Sequence, residues 1–202
     1  NRAKRVLVNK NIFIIGIITC VLYFIAVAGF LVFKTEVALT IWELLTVLSA
    51  PVVMIVLYKQ QSILNVTNLG RTLTNAFMAC TFSLTAIAHF VNIAVTRPLI
   101  NQGVNVPTYF QIGYWPSVEM AVDYVAWGFF CGLAFLSLAK FAKNKLHTNI
   151  IITTYICAIL CQIGFWGAMF INENLWYLAP WGYGLGFMIL CIQALKISNS
   201  KN

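Results

Sequence analysis

Three acidic residues and a histidine stand inside otherwise apolar stretches, where their side chains are suited to binding a cation or moving a proton. Glu119 and Asp123 lie one helical turn apart in "WPSVEMAVDYVAW" (115–127), and Glu43 and His89 lie in two other apolar stretches. Carboxylates attract cations, and an ordinary imidazole changes charge near neutral pH. These four side chains therefore suit ligand binding or acid–base chemistry, provided that the fold places them close together.

The elements that must position these side chains are membrane helices. The chain is 61% hydrophobic and only 9% charged, against about 25% charged in soluble domains. Six mostly apolar windows lie at roughly 11–33, 37–58, 73–95, 117–139, 149–171 and 175–196. Each is long enough to cross a hydrocarbon core of about 30 Å as a helix. The predicted fold class is all-α, a polytopic transmembrane bundle of six helices that forms one domain over residues 1–202.

The basic residues lie mostly on one side of this predicted bundle. Of the 13 Lys and Arg residues, only Lys34 and Arg97 fall on the other side. The positive-inside rule then predicts a multi-pass protein of the cell membrane, with N and C termini cytoplasmic and a long outer loop between helices 3 and 4, over 96–116. The net charge of +8 is explained by this topology and by anionic headgroups, so the lipid bilayer is the expected partner and nucleic acid is not.

The polar residues are predicted to meet at one depth. Counted from the outer ends of their helices, Glu43, His89 and Asp123 each lie about six residues in, or roughly 9 Å. A charged residue deep in a bilayer costs roughly 2.5–3.5 kcal/mol, so such residues usually face a partner or a wet cavity. The predicted pocket adds the residues that share their helix faces, and its candidates are Glu43, His89, Asn92, Glu119, Asp123 and Trp127.

Each candidate also has a structural interpretation. Glu119 follows a Pro-Ser cap signal, where a carboxylate complements the helix dipole. Glu43 is also consistent with a rim residue. His89 is consistent with a neutral histidine bonded to a neighbouring helix, and Asp123 with its structural partner.

Three functions fit this pattern. The leading hypothesis is an outward-facing pocket that binds or transports a small ligand, cationic or amphipathic, with π faces from Trp127, Trp166 and Trp181. The alternative is a membrane-embedded enzyme that uses His, Asp and Glu for acid–base chemistry on a lipid-like substrate. A zinc variant of that enzyme lacks the usual H-E-x-x-H spacing, so no metal site is assigned. The third is a scaffold or assembly subunit. The sequence names no cofactor, catalytic residue or partner subunit.

Two resemblances accompany these hypotheses. A membrane His with Glu, Asp and Trp resembles the sterol-isomerase and sigma-2-like membrane proteins, whose span count and motif spacing differ, so no residue role is transferred. The size and the six spans resemble the substrate-binding subunits of energy-coupling vitamin transporters, which is an analogy of fold alone. No family is assigned from the sequence.

Two further features predict packing. Gly182 and Gly186 form a G-x-x-x-G step that lets another helix approach closely, from this chain or from a second one. The outer loop is rich in aromatic residues, which are predicted to lie on the outer surface as an interfacial anchor or a partial lid: Tyr109, Phe110, Tyr114 and Trp115.

Overall fold

The structure, a computed structural model, describes residues 10–199. Within that range the chain is helical and has no strand, only an isolated bridge between Val66 and Ala142. Six helices are long and apolar enough to cross a membrane: span 1 Asn11–Phe33, span 2 Glu36–Ile63, span 3 Asn68–Asn101, span 4 Val118–Lys140, span 5 Lys145–Phe170 and span 6 Glu173–Asn199. The all-α prediction is confirmed, and six such helices are compatible with an integral membrane protein.

The two ends of the bundle differ in charge. At one end the connection after span 2 contacts the connection after span 4, where the Lys143 N–H donates to the Leu64 carbonyl at 3.2 Å. We call this the basic end, because it carries Lys10, Lys59, Arg71, Lys140, Lys143, Lys145 and Lys196. The opposite end carries the 102–117 connection and is called the loop end. All five acidic residues of the chain lie in this half of the bundle: Glu36, Glu43, Glu119, Asp123 and Glu173.

Four residues that contributed to the predicted charge asymmetry lie outside the described residues: Arg2, Lys4, Arg5 and Lys201. The described basic residues keep the same asymmetry, since only Lys34 and Arg97 lie toward the loop end.

The core draws side chains from all six spans, and its most buried members include Phe13, Leu57, Met78, Phe135, Ile150 and Leu190. Large apolar side chains such as Ile25 and Phe90 point outward instead. An apolar surface of this extent is unfavourable in water and favourable against hydrocarbon.

The G-x-x-x-G step packs against this chain itself. A Cβ at Gly182 would lie 2.7 Å from the carbonyl oxygen of Cys157, and a Cβ at Gly186 would lie 2.6 Å from the Cys157 sulfur. Span 5 is therefore the helix that the two glycines admit, which answers the question that the sequence left open.

Three spans widen into π-helical turns in the half near the loop end: Asn92–Thr96, Val125–Phe130 and Trp181–Gly186. The first precedes Pro98 and the third follows Pro180. Proline lacks an N–H and its ring clashes with the carbonyl four residues earlier, so the wider turn Asn92–Thr96 accommodates Pro98. Pro180 lies before its π turn, so this clash does not account for the turn Trp181–Gly186. Such π turns often occur at functional sites, and here they cluster around the polar residues.

Candidate functional site

Span 2 places Glu43 two turns below the loop end. The Thr35 hydroxyl caps this helix by accepting from the Ala38 N–H at 3.2 Å. From that start, the helical repeat turns the Glu43 side chain inward, where it is fully buried. The alternative interpretation of Glu43 as a rim residue is therefore wrong.

Span 3 is longer than predicted. The predicted end near residue 95 is wrong, because the helix continues through the π turn Asn92–Thr96 to Asn101. Arg97 was predicted to lie in the outer loop. It lies instead within the helix and is only 9% exposed.

The Glu43 carboxylate is held by two side chains of span 3. Arg97 donates to Oε2 of Glu43, and its other terminal nitrogen donates to the Thr40 hydroxyl. The Asn92 amide donates to Oε1 of Glu43 at 2.6 Å. Hydrogen bonds between ionised groups are roughly twice as strong as neutral ones, so Arg97 balances the Glu43 charge.

His89 lies between two carboxylates. Its Nδ1 is 3.6 Å from Oε1 of Glu43, and its Nε2 is 3.4 Å from Oδ1 of Asp123. Both distances are those of an ion pair, yet neither ring nitrogen has a hydrogen bond of good geometry. Only the protonated imidazole carries a donor on each nitrogen. The ring thus links spans 2, 3 and 4, and we call Glu43, His89, Asn92, Arg97 and Asp123 the polar cluster.

Asp123 is the residue of the polar cluster that can accept a further hydrogen bond. Span 4 begins behind Ser117, whose hydroxyl accepts from the Met120 N–H at 3.2 Å. Asp123 follows in the second turn, its side chain is 14% exposed, and its Oδ1 is buried without a hydrogen-bond partner. This oxygen lies 3.4 Å from His89 Nε2 but makes no hydrogen bond of good geometry with it, so it can still accept a bond from another donor.

The structure brings together Glu43, His89, Asn92 and Asp123 of the six predicted pocket residues. It does not join Glu119 to them. That side chain is buried one turn nearer the loop end, and its Oε2 has no hydrogen-bond partner among the described residues.

The three tryptophans that were predicted to offer aromatic faces lie in two different environments. Trp127 is buried, its Nε1 has no partner among the described residues, and its ring lies 4.8 Å from that of Tyr183. Trp166 and Trp181 are 46% and 57% exposed on the outside of the bundle. The prediction that these two line the pocket is wrong, because their helix positions face outward.

A small cavity lies beside Trp127, and no side chain of the polar cluster lines it. It measures about 20 Å³ and is lined by Thr19 and Tyr23 of span 1 as well as by Trp127 and Tyr183, which is room for at least one water-sized group. The side chain of Tyr23 lies near Tyr183 and interacts electrostatically with Asp123. Span 1 was not among the helices predicted to form the pocket, although Thr19 and Tyr23 form a polar pair one turn apart.

The loop between spans 3 and 4 is fixed to the bundle by one of its aromatic residues. Tyr109 and Tyr114 are exposed, as predicted. Trp115 turns inward and stacks on Tyr124 at 4.8 Å, and Tyr124 stacks on Trp176 at 3.7 Å. The loop therefore rests on an aromatic layer above the polar cluster.

The widened turn of span 4 is supported from both sides. The Thr81 hydroxyl donates to the Ala126 carbonyl at 3.1 Å, and the Gln162 amide donates to the Phe129 carbonyl at 2.8 Å. Carbonyls that a π turn frees from the regular ladder are satisfied here by neighbouring helices. This support fixes the backbone that follows Asp123 directly.

The imidazole separates the two carboxylates of the polar cluster. Among residues 10–199, no group of three or more His, Cys, Asp and Glu side chains is placed to hold a metal ion.

No protein-family model matches the chain, and no curated protein or solved structure is significantly similar to it.

Proposed function

We propose that this chain is a multi-pass protein of the cell membrane whose six helices form one domain and whose polar cluster binds a small cationic ligand of the ammonium type. Both termini lie in the cytoplasm, so the loop end faces outward. The charge distribution supports this orientation, since the described basic residues concentrate at the basic end.

One observation carries the proposal. Asp123 presents a buried oxygen that makes no hydrogen bond, although His89 Nε2 lies 3.4 Å away, and Arg97 is already paired with Glu43. An unsatisfied buried polar atom costs roughly 1–3 kcal/mol, so a native structure that keeps one usually uses it. A cation that donates to this oxygen supplies the hydrogen bond that His89 does not make.

The surroundings favour a small cation. A cavity of about 20 Å³ lies among Tyr23, Trp127 and Tyr183, and the two tyrosines interact electrostatically with Asp123. Aromatic faces attract cations by about 0.5–2 kcal/mol, most strongly where water is excluded. The space admits an ammonium-sized group, whereas a lipid substrate, as in the enzyme hypothesis, would require the helices to separate.

Thermal and chemical unfolding of the purified protein with methylammonium chloride tests this proposal against sodium chloride at the same ionic strength. At a concentration about 100 times the dissociation constant, a ligand that binds only the folded state stabilises it by about 2.7 kcal/mol. We expect saturable stabilisation of the native protein. Tetramethylammonium, which exceeds the cavity, should stabilise it much less.

Asp123→Asn is the test variant, because it removes the charge and preserves the shape. Glu173→Gln is the matched control, since Glu173 is an exposed carboxylate at the same end. The control should respond to methylammonium as the native protein does, and Asp123→Asn should fold but not respond. Equal responses from both variants, or no response from the folded native protein, would overturn the proposal. Uptake of methylammonium into proteoliposomes then distinguishes a carrier from a receptor.

A further inference from the structure

A groove on the outside of spans 2 and 3 is separate from the polar cluster. It encloses about 600 Å³ in the half of the bundle near the basic end. Its walls are apolar except for two polar side chains, and they include Pro51, Met54, Tyr58, Phe82, Asn75 and Ser83. Tyr58 and Phe82 are exposed, so the groove opens sideways, toward hydrocarbon in a membrane.

The groove exists because short side chains face each other across the two helices. Pro51 in span 2 and Ala79 in span 3 both line it, and neither reaches far enough to close the space. Close-packed helices leave few voids larger than a water molecule, so an opening of this size is normally filled by something outside the chain.

A basic residue lies next to the groove lining on each helix, although neither side chain is among the lining residues. The Lys59 ammonium lies 5.9 Å from the ring centroid of Tyr58, which lines the groove. Arg71 precedes Asn75 by one helical turn and so shares its face of span 3. Its Nε donates to the Val66 carbonyl at 3.0 Å, and its terminal nitrogens donate to no described residue.

We propose that this groove binds an anionic phospholipid, with an acyl chain along its apolar walls and the phosphate between Lys59 and Arg71. Acyl chains gain little by leaving bulk lipid for a protein groove, because lipid tails are as apolar as the groove walls. Preference for one lipid therefore comes from its headgroup. The positive charges of Lys59 and Arg71 favour a lipid whose headgroup is negatively charged. This site does not depend on the function proposed for the polar cluster.

Native mass spectrometry of the purified protein in detergent, with equal amounts of phosphatidylglycerol and phosphatidylcholine of identical acyl chains, tests this site. We expect the protein to retain phosphatidylglycerol in preference to phosphatidylcholine. Lys59→Gln and Arg71→Gln should each lower phosphatidylglycerol retention about fivefold and leave phosphatidylcholine unchanged. Ala79→Leu, which fills the groove, should lower the retention of both lipids.

The matched control removes two cations of the same end that lie away from the groove. Lys145 and Lys196 are exposed on spans 5 and 6, and neither lines it. Lys145→Gln with Lys196→Gln should retain phosphatidylglycerol as the native protein does. The proposal is overturned if this control loses as much phosphatidylglycerol as the groove variants, or if the native protein retains the two lipids equally. A lipid-free dimer that Ala79→Leu abolishes would also overturn it, since a second copy would then fill the groove.

Discussion

Removing the Arg97 guanidinium should destabilise the protein more than any other loss of a single positive charge. Arg97 is 9% exposed and donates to both Glu43 and Thr40. Removing one partner of a buried ion pair leaves an uncompensated charge in a low-dielectric interior, which costs about 3–5 kcal/mol. We expect Arg97→Gln to lose that much unfolding free energy. Lys34→Gln, which removes the exposed cation at the same end, should change it by less than about 0.5 kcal/mol.

The double variant sharpens this prediction. Glu43→Gln alone leaves Arg97 without its carboxylate, so its cost should be similar to that of Arg97→Gln. With both charges removed, neither is left unpaired, and the double variant should cost less than the sum of the single costs by at least about 2 kcal/mol. The assay is unfolding in mixed micelles, followed by far-UV circular dichroism. Additive costs within about 0.5 kcal/mol would refute the pairing of Arg97 with Glu43.

Two other predictions concern the π turns of spans 4 and 6. Gln162→Leu removes the donor to the π turn Val125–Phe130 and should cost about 1–3 kcal/mol in the same assay; unchanged stability would show that the turn does not need this amide. Gly182→Val should cost at least about 1–3 kcal/mol by overpacking, because its Cβ would lie 2.7 Å from the Cys157 carbonyl oxygen. Gly29→Val, where no described atom lies within 4 Å of the added Cβ, is its control, and equal losses in the two would contradict the close contact.

The sequence was sufficient to predict the helices and the meeting of four polar residues. Apolar runs of this length have few alternatives in a membrane, and the helical repeat fixes which side chains share a face. His89 and Asn92 therefore followed from one stripe of span 3, and Asp123 from one stripe of span 4. Because a charged or polar side chain is unfavourable in hydrocarbon, His89, Asn92 and Asp123 were predicted to point inward, toward Glu43.

The position of Arg97 inside span 3 could not be predicted from the sequence, for reasons of local structure. Arg-Pro after an apolar run is a common end signal for a helix, because proline cannot donate to the preceding turn. The chain passes Pro98 by widening the turn Asn92–Thr96 instead. Such a turn depends on packing against other helices and has no clear signature in the sequence.

The outward direction of Trp166 was missed for a different reason. Tryptophan is common both at membrane interfaces and inside binding pockets, so its residue type does not decide its direction. In the structure its Nε1 donates to Gln162 at 3.0 Å while the ring is exposed. Only the helix rotation set by neighbouring spans distinguishes the two positions.

The most direct test of the central claim is a cryo-electron microscopy map of the protein in lipid nanodiscs, recorded with and without methylammonium. We predict that the His89 ring lies between the carboxylates of Glu43 and Asp123, and that density appears beside Asp123 only with the cation. A map in which Asp123 points to the acyl chains, with His89 on another flank of the bundle, would contradict the account.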